Sequence, residues 1–266
     1  KWQADKRPGQ AIPRAHWRQD DPGTFDAGDV YGSGGPTGVT FYENGSLGDK
    51  WIGTYLSGEA SRNTVFGYKP KPQGATYSMN RFNFVSTRST SPSVSDEDRD
   101  ERVHFRPSDV AIGPDGAVYV ADWYDPGSGG HATRDESSSG AIYRIAPKNF
   151  APSIPELNLD SIDGQIKALL SPTPNVRHLG FLALQKQGAK AYKKVSVLLN
   201  HKNPYIAARA IWLLPYLGNK GLKEVHKLLD STKSVHRLVA YRSLRRSEQK
   251  LFPYAEKMAK DSSVGV

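Results

Sequence analysis

From Pro174 onward the chain repeats itself every 30 residues, and no other feature constrains its fold as strongly. Pro174, Pro204 and Ser234 align as helix starts. Gly180, Ala210 and Ala240 follow as small residues, and Leu184, Leu214 and Leu244 as apolar ones. Further columns run through Val195, Val225 and Ala255, then through Leu198, Leu228 and Met258. Helix pairs in register bury their apolar faces only by stacking on the next pair. Residues 161–266 are therefore expected to form an α-solenoid of HEAT-like helix pairs, with a period below the roughly 40–47 residues usual for such repeats.

Residues 1–146 carry a different period. Gly and Pro are frequent, and short aromatic or β-branched runs alternate with turn signals. In residues 108–122, Val110 and Ile112 alternate with small residues, Asp115-Gly116 supplies a turn, and Val118 and Val120 alternate again. An Asp-Gly turn between such runs marks a hairpin. A third strand is expected at 140–145, and an earlier group at 37–42, 51–57, 64–68 and 79–85. Two successive units of small antiparallel strands read as β-propeller blades. Two blades cannot close a ring, so the rest is expected outside these residues or on other chains of the same assembly. The expectation is a β + α chain of two domains: partial β-propeller (last blades) over 1–146, a linker over 147–160 stiffened by Pro147, Pro152 and Pro155, and the solenoid over 161–266.

Charge divides at the same place. Residues 164–266 hold 19 Lys and Arg against 5 Asp and Glu, whereas 1–163 hold 17 against 22. Opposite signs point to modules with different surroundings. With no cysteine, the chain has no disulfides, thiolate zinc sites or cysteine nucleophile. The longest apolar stretch, around 207–217, is interrupted by Arg209 and Pro215 and falls short of the roughly 20 residues of a membrane span. Lys1 opens neither a signal peptide nor an initiator-Met start, so the sequence reads as an internal or processed piece.

Several chemistries lose on motif grounds. The glycines of 32–38 lack a following Lys-Ser/Thr and are broken by Pro36, which argues against nucleotide binding. No His pair has zinc-ligand spacing on a helix, and the Gly-x-Ser-x-Gly elbow of hydrolases is absent. The polar stretch 86–104 reads as an insertion loop; its acids at 96–101 lack the spacing of a calcium loop. The mixed charges of Arg14, His16, Arg18, Asp20 and Asp21 read as a salt-bridged surface.

Pro-Thr-Gly-Val-Thr-Phe-Tyr at 36–42, Ser-Arg-Asn-Thr-Val-Phe-Gly-Tyr at 61–68 and the run from Phe105-Arg-Pro through Asp122-Trp-Tyr-Asp to His131 carry a resemblance. They resemble the last propeller blades of the glucose/sorbosone dehydrogenase-like proteins of planctomycetes and their relatives. That family consists of large secreted or membrane-bound dehydrogenase-type proteins, with HEAT repeats after the propeller and often a c-type haem domain beyond. Trp17-Arg-Gln-Asp-Asp-Pro-Gly23 fits the same pattern. The resemblance implies a periplasmic or extracellular protein related to quinoprotein sugar dehydrogenases, which oxidise an aldose or alcohol by hydride transfer to pyrroloquinoline quinone (PQQ) beside a calcium ion. It places Arg106 against the quinone carboxylates, a pairing that suits a guanidinium fork. Arg62 is retained beside it, whereas Ser61 stands where a quinone-contacting lysine is expected. The histidine base and calcium ligands of such enzymes belong to earlier blades, and c-type haem is expected only outside this chain.

Within the loop 122–131, Asp122 and Asp125 are candidate calcium ligands, and Asp122 and His131 candidate cofactor contacts. The plain alternative is that the two aspartates cap a turn and His131 bonds the loop. Lys190, Lys193, Lys194, Lys220, Lys223, Lys227, Arg242, Arg245 and Arg246 either dock an acidic partner or form a solvated helical face. Trp212, Tyr216 and Tyr241 occupy apolar repeat positions, which disfavours nucleic acid stacking. The enzyme reading competes with a non-catalytic propeller/HEAT scaffold or binding protein of the cell envelope, which Ser61 and the missing catalytic blades favour.

Overall fold

Alternating side chains and turn glycines organise the first half into two antiparallel sheets. The computed structural model describes residues 35–74, 76–87, 104–124, 140–153, 155–247, 249 and 252–266, all within the unit Gly35–Val266. Strands β1 (Pro36–Tyr42), β2 (Thr54–Glu59), β3 (Thr64–Gln73) and β4 (Thr76–Ser86) pair in the order β1-β2-β3-β4. Strands β5 (Pro107–Ile112), β6 (Val118–Asp122) and β7 (Ala141–Ile145) pair as β5-β6-β7. The β5–β6 turn forms as its Asp-Gly pair requires: Gly116 has φ +81°, and the Asp115 carboxylate accepts from Ala117 N at 3.0 Å.

One expected strand starts late. Residues 49–51 make a 3-10 turn, and β2 begins only at Thr54. The cause is aromatic packing: Trp51 stands edge-on to Phe84 at 5.0 Å, while Gly53, at φ +83°, donates to Tyr42 O and closes the turn.

The sheets share one core. Tyr42, Leu56 and Val65 of the first sheet pack with Val110, Ile112, Val118 and Val120 of the second and with Phe105 just before it. Burial of each such large apolar side chain contributes roughly 1.5–3 kcal/mol. β1 lies beside β5, start to start: Thr37 Oγ1 donates to Pro107 O at 2.7 Å, and a Cβ on Gly38 would fall 2.8 Å from Asp109 Cα. At the opposite end, Ser46 N donates to Gly116 O at 2.9 Å.

The second half is helical: α1 (Ile162–Leu169), α2 (Pro174–Gln187), α3 (Tyr192–Ser196), α4 (Pro204–Leu213), α5 (Gly218–Lys227), α6 (Ser234–Arg246) and α7 (Phe252–Ala259). α2, α4 and α6 begin at the repeat positions Pro174, Pro204 and Ser234. Proline suits the first helical turn, where its missing N–H is no loss, and the Asn203 side chain caps α4 by accepting from Tyr205 N at 2.9 Å. Leu184, Leu214 and Leu244 are all fully buried. Gly180 is small because α1 crosses it closely; a Cβ there would lie 2.4 Å from Leu169 N. One apolar cluster joins α1 to α4 through Leu169, Leu184, Val195 and Leu213, and the next joins α4 to α7 through Ile211, Val225, Leu244 and Met258. The repeat slips in one column: Leu229 is buried, and Leu228 packs only partly against the cluster. The fold is of the mixed class, two small antiparallel sheets followed by helices. Among the described residues no helix is long and apolar enough to cross a membrane.

Strands meet helices through charge. Glu43, in the β1–β2 loop, receives Arg177 Nη2 at 3.0 Å and Arg209 Nη2 at 2.7 Å. Asn44 Nδ2 donates to Leu170 O, and Asn203 Nδ2 donates to Glu43 O. Arg209 is buried and also donates to Leu169 O at 2.8 Å.

Candidate functional site

In an antiparallel meander, alternate connections fall at the same end. The start of β1, the β2–β3 loop, the approach to β5, the end of β6 and the start of β7 therefore share one rim, opposite the Glu43 end. This rim brings together Arg106, Asp122 and the turn that carries Arg62.

Arg106 leads into β5 and is 9% exposed. Its backbone N donates to Asp122 Oδ1 at 2.7 Å, and its carbonyl accepts from Trp123 N. Nη1 donates to Ala60 O at 2.9 Å, which fixes the plane of the guanidinium against the 60–62 turn. Arg62 ends that turn; it is half-buried, and its carbonyl accepts from Thr64 Oγ1 at 2.7 Å.

Asp122 ends β6 and is buried. Its Oδ1 accepts from Arg106 N and from Tyr124 N at 2.8 Å, so it caps a turn as the plain alternative holds. Oδ2 is buried and has no hydrogen-bond partner of standard geometry among the described residues. The neighbouring Tyr143 phenol is raised above its ordinary pKa, first by burial, then by the negative charge of Asp122 and by a hydrogen bond to its carboxylate. Among the described residues no group of three or more His, Cys, Asp or Glu could hold a metal ion. Asp125 and His131 lie outside the described residues, as do 1–34 and the acids at 96–101.

Two rim residues carry no mark in the sequence pattern that singles out the others. Glu59, 1% exposed, accepts from Gly35 N and from Ser61 N. Asn63 is fully buried at φ +51°, donates from Nδ2 to Phe105 O at 2.8 Å and accepts from Thr87 N. Asn tolerates left-handed backbone because its short amide bonds locally. That preference, just before a β-branched run, is the one signal available for Asn63. Nothing local marks Glu59, whose partners come from the folded turn.

The residues present fit an anionic cofactor in part. Arg106 is a cation already held in one orientation, and Asp122 Oδ2 is a buried carboxylate oxygen beside the Tyr143 phenol, of a kind that suits a cation. Calcium takes six to eight oxygens, and Asp122 Oδ2 is one.

Residues 7–149, more than half of the chain, match the family described as a domain of unknown function (DUF7133), and the chain belongs to that family. No curated protein and no solved structure matches it.

Proposed function

We propose that residues 35–146 are terminal blades of a β-propeller related to quinoprotein sugar dehydrogenases, and that the Arg106 rim borders its ligand face. The helices after the 147–160 linker are read as a HEAT-like solenoid. The observation that carries this is the gathering of Arg62, Arg106 and Asp122 on one rim of two consecutive meanders whose first strands lie side by side. Exposed apolar side chains on the sheet faces away from the shared core, Val39 at 63% and Ile142 at 75%, support further sheets on either side.

In this reading the protein oxidises an aldose or alcohol in the periplasm or outside the cell and passes electrons to a c-type haem outside these residues. Hydride acceptance is the chemistry that a bound quinone supplies. Arg106 orients the cofactor through its carboxylates, and Ala60 O keeps the guanidinium from rotating away. Asp122 offers Oδ2 to a cation such as calcium while Oδ1 holds the rim closed. The test is to add PQQ and calcium to the natural full-length protein, and then an aldose with a redox dye. A quinone absorbance shift, weakened in Arg106→Leu, and dye reduction are expected. No spectral change on adding quinone overturns the reading.

A second reading has its own support. Arg106 Nη1 and both bonds to Asp122 Oδ1 are engaged with backbone, and Ser61 replaces the expected lysine. A propeller without redox chemistry, serving as a scaffold or binding protein of the cell envelope, uses these groups in this structural way. It predicts that quinone leaves the spectrum unchanged.

A further inference from the structure

The helical repeat produces a groove twice. Between α2 and α4, Leu169, Pro174, Arg177, His178 and Phe181 line a cavity of about 260 Å³. Between α4 and α6, the residues 30 positions later, Leu199, Pro204, Ala207, Ala208 and Ile211, line one of about 360 Å³. The second is larger, with alanines in place of Arg177 and His178 on its floor, and His201, Lys202, Lys233 and His236 add polar groups around that floor. Val235, 54% exposed, stands at its edge.

An acidic loop docks at the margin of the first groove, with Glu43 against Arg177 and Arg209 and its backbone carbonyl on Asn203 Nδ2. At the second groove Ala207 and Val239 stand where Arg177 and Arg209 hold Glu43, and the positive charge lies instead on Lys233, the residue equivalent to Asn203. Lys202 adds another cation at the mouth, where its acidic neighbour Asp49 lies 3.5 Å away and both are largely exposed. Among the described residues Lys233 makes no ion pair. His236, lowered from its ordinary pKa by burial and then by Lys233, reports a mouth that disfavours further positive charge.

We propose that the groove between α4 and α6 docks an acidic loop of a partner protein, a Glu- or Asp-bearing turn with apolar flanks, as Glu43 docks one repeat earlier. The apolar floor takes the flanking side chains, while Lys202 and Lys233 take the carboxylates. This surface differs from the exposed lysines and arginines that the sequence singles out. It is independent of the quinone reading.

The probe is a cyclic peptide with the sequence of residues 41–49, Phe-Tyr-Glu-Asn-Gly-Ser-Leu-Gly-Asp, titrated into the whole chain and followed by amide NMR shifts. Saturable shifts are expected at residues 200–208 and 233–236. Lys202→Glu with Lys233→Glu should weaken binding about tenfold or more, the scale of losing paired charges at a desolvated contact. Ala208→Trp, which fills the groove and leaves the charges in place, should abolish it. Lys193→Glu with Lys194→Glu should change it by less than about twofold, since exposed remote charges contribute little. Retained dispersion of the amide spectrum checks that each variant is folded. An absence of shifts in those residues overturns the proposal, as does equal weakening by the Lys193 and Lys194 reversals, which would mean diffuse attraction. Tighter binding of a heparin fragment than of the peptide also overturns it, in favour of an anionic polysaccharide.

Discussion

Arg209 donates from Nε and Nη2 to the same oxygen of Glu43, at 3.1 and 2.7 Å, across 166 positions of sequence. Arg177 takes the other carboxylate oxygen at 3.0 Å, so one acid is shared by two guanidinium groups. Burial pulls Arg177 below its ordinary pKa, and the Glu43 charge works against that fall. The first-half loop and the second-half helices are thus held by a contact that neither half could satisfy alone.

Replacing Glu43 with alanine leaves Arg209, whose side chain is only 9% exposed, without its counter-charge. A loss of roughly 2–4 kcal/mol is expected, near the cost of breaking a buried pair by removing one partner. Glu43→Gln should lose less, because an amide oxygen still accepts from Arg209. Urea unfolding of the three proteins checks both the loss and the order.

The Asp261 carboxyl is lowered from its ordinary value of 3.8 to about 2, chiefly by Arg237, whose Nε and Nη2 donate to it at 2.6 and 2.7 Å, and then by Ser263 N. As pH falls below about 4 the unfolded chain takes up this proton before the folded one does. The stabilisation is therefore complete above that range and is lost as pH drops toward about 2. Melting temperatures measured across this window should fall less steeply in Asp261→Asn than in the parent.

At the rim, Asp122→Asn removes the negative charge that raises the Tyr143 phenol. The Tyr143 pKa should drop while staying above its ordinary value, because burial, the largest single cause, remains. NMR of ring-labelled tyrosine, assigned with Tyr143→Phe, reads this directly. The two amides on Oδ1 would exchange a carboxylate for a weaker neutral acceptor, at about 1 kcal/mol.

Gly180→Ala sets helix propensity against packing. Alanine within α2 should add about 1 kcal/mol on propensity alone. Its Cβ, however, would stand 2.4 Å from Leu169 N and 2.8 Å from Gln165 O, both backbone atoms. A net loss of roughly 1–3 kcal/mol is expected from the forced separation of α1 and α2, read by thermal unfolding in circular dichroism.

Much of the local architecture is legible in the residues alone. Helix starts at Pro174, Pro204 and Ser234 follow from a repeat whose columns are packing positions, and the 114–116 turn follows from Asp-Gly chemistry. The late start of β2 is not legible, since Trp51 looks like a strand residue until Phe84 captures it in a turn. Arg62, Arg106 and Asp122 stand out through a resemblance, and their shared rim follows from strand direction. Glu59 does not stand out, because an acid at a strand end ordinarily faces water; its burial depends on Gly35 and Ser61 presenting N–H groups to it.

Periodicity is written in the order of the residues, and with it which stretches pair as strands, which coil as helices and which side chains point inward. Those properties depend on near neighbours along the chain, where steric preference and hydrophobic spacing act without outside help. That Glu43 meets Arg209, that Asp122 holds Arg106 and that Lys233 lines a groove between α4 and α6 emerges only in three dimensions. Such pairings join residues tens to hundreds of positions apart, and charge and burial find their partners only once the chain has closed those distances.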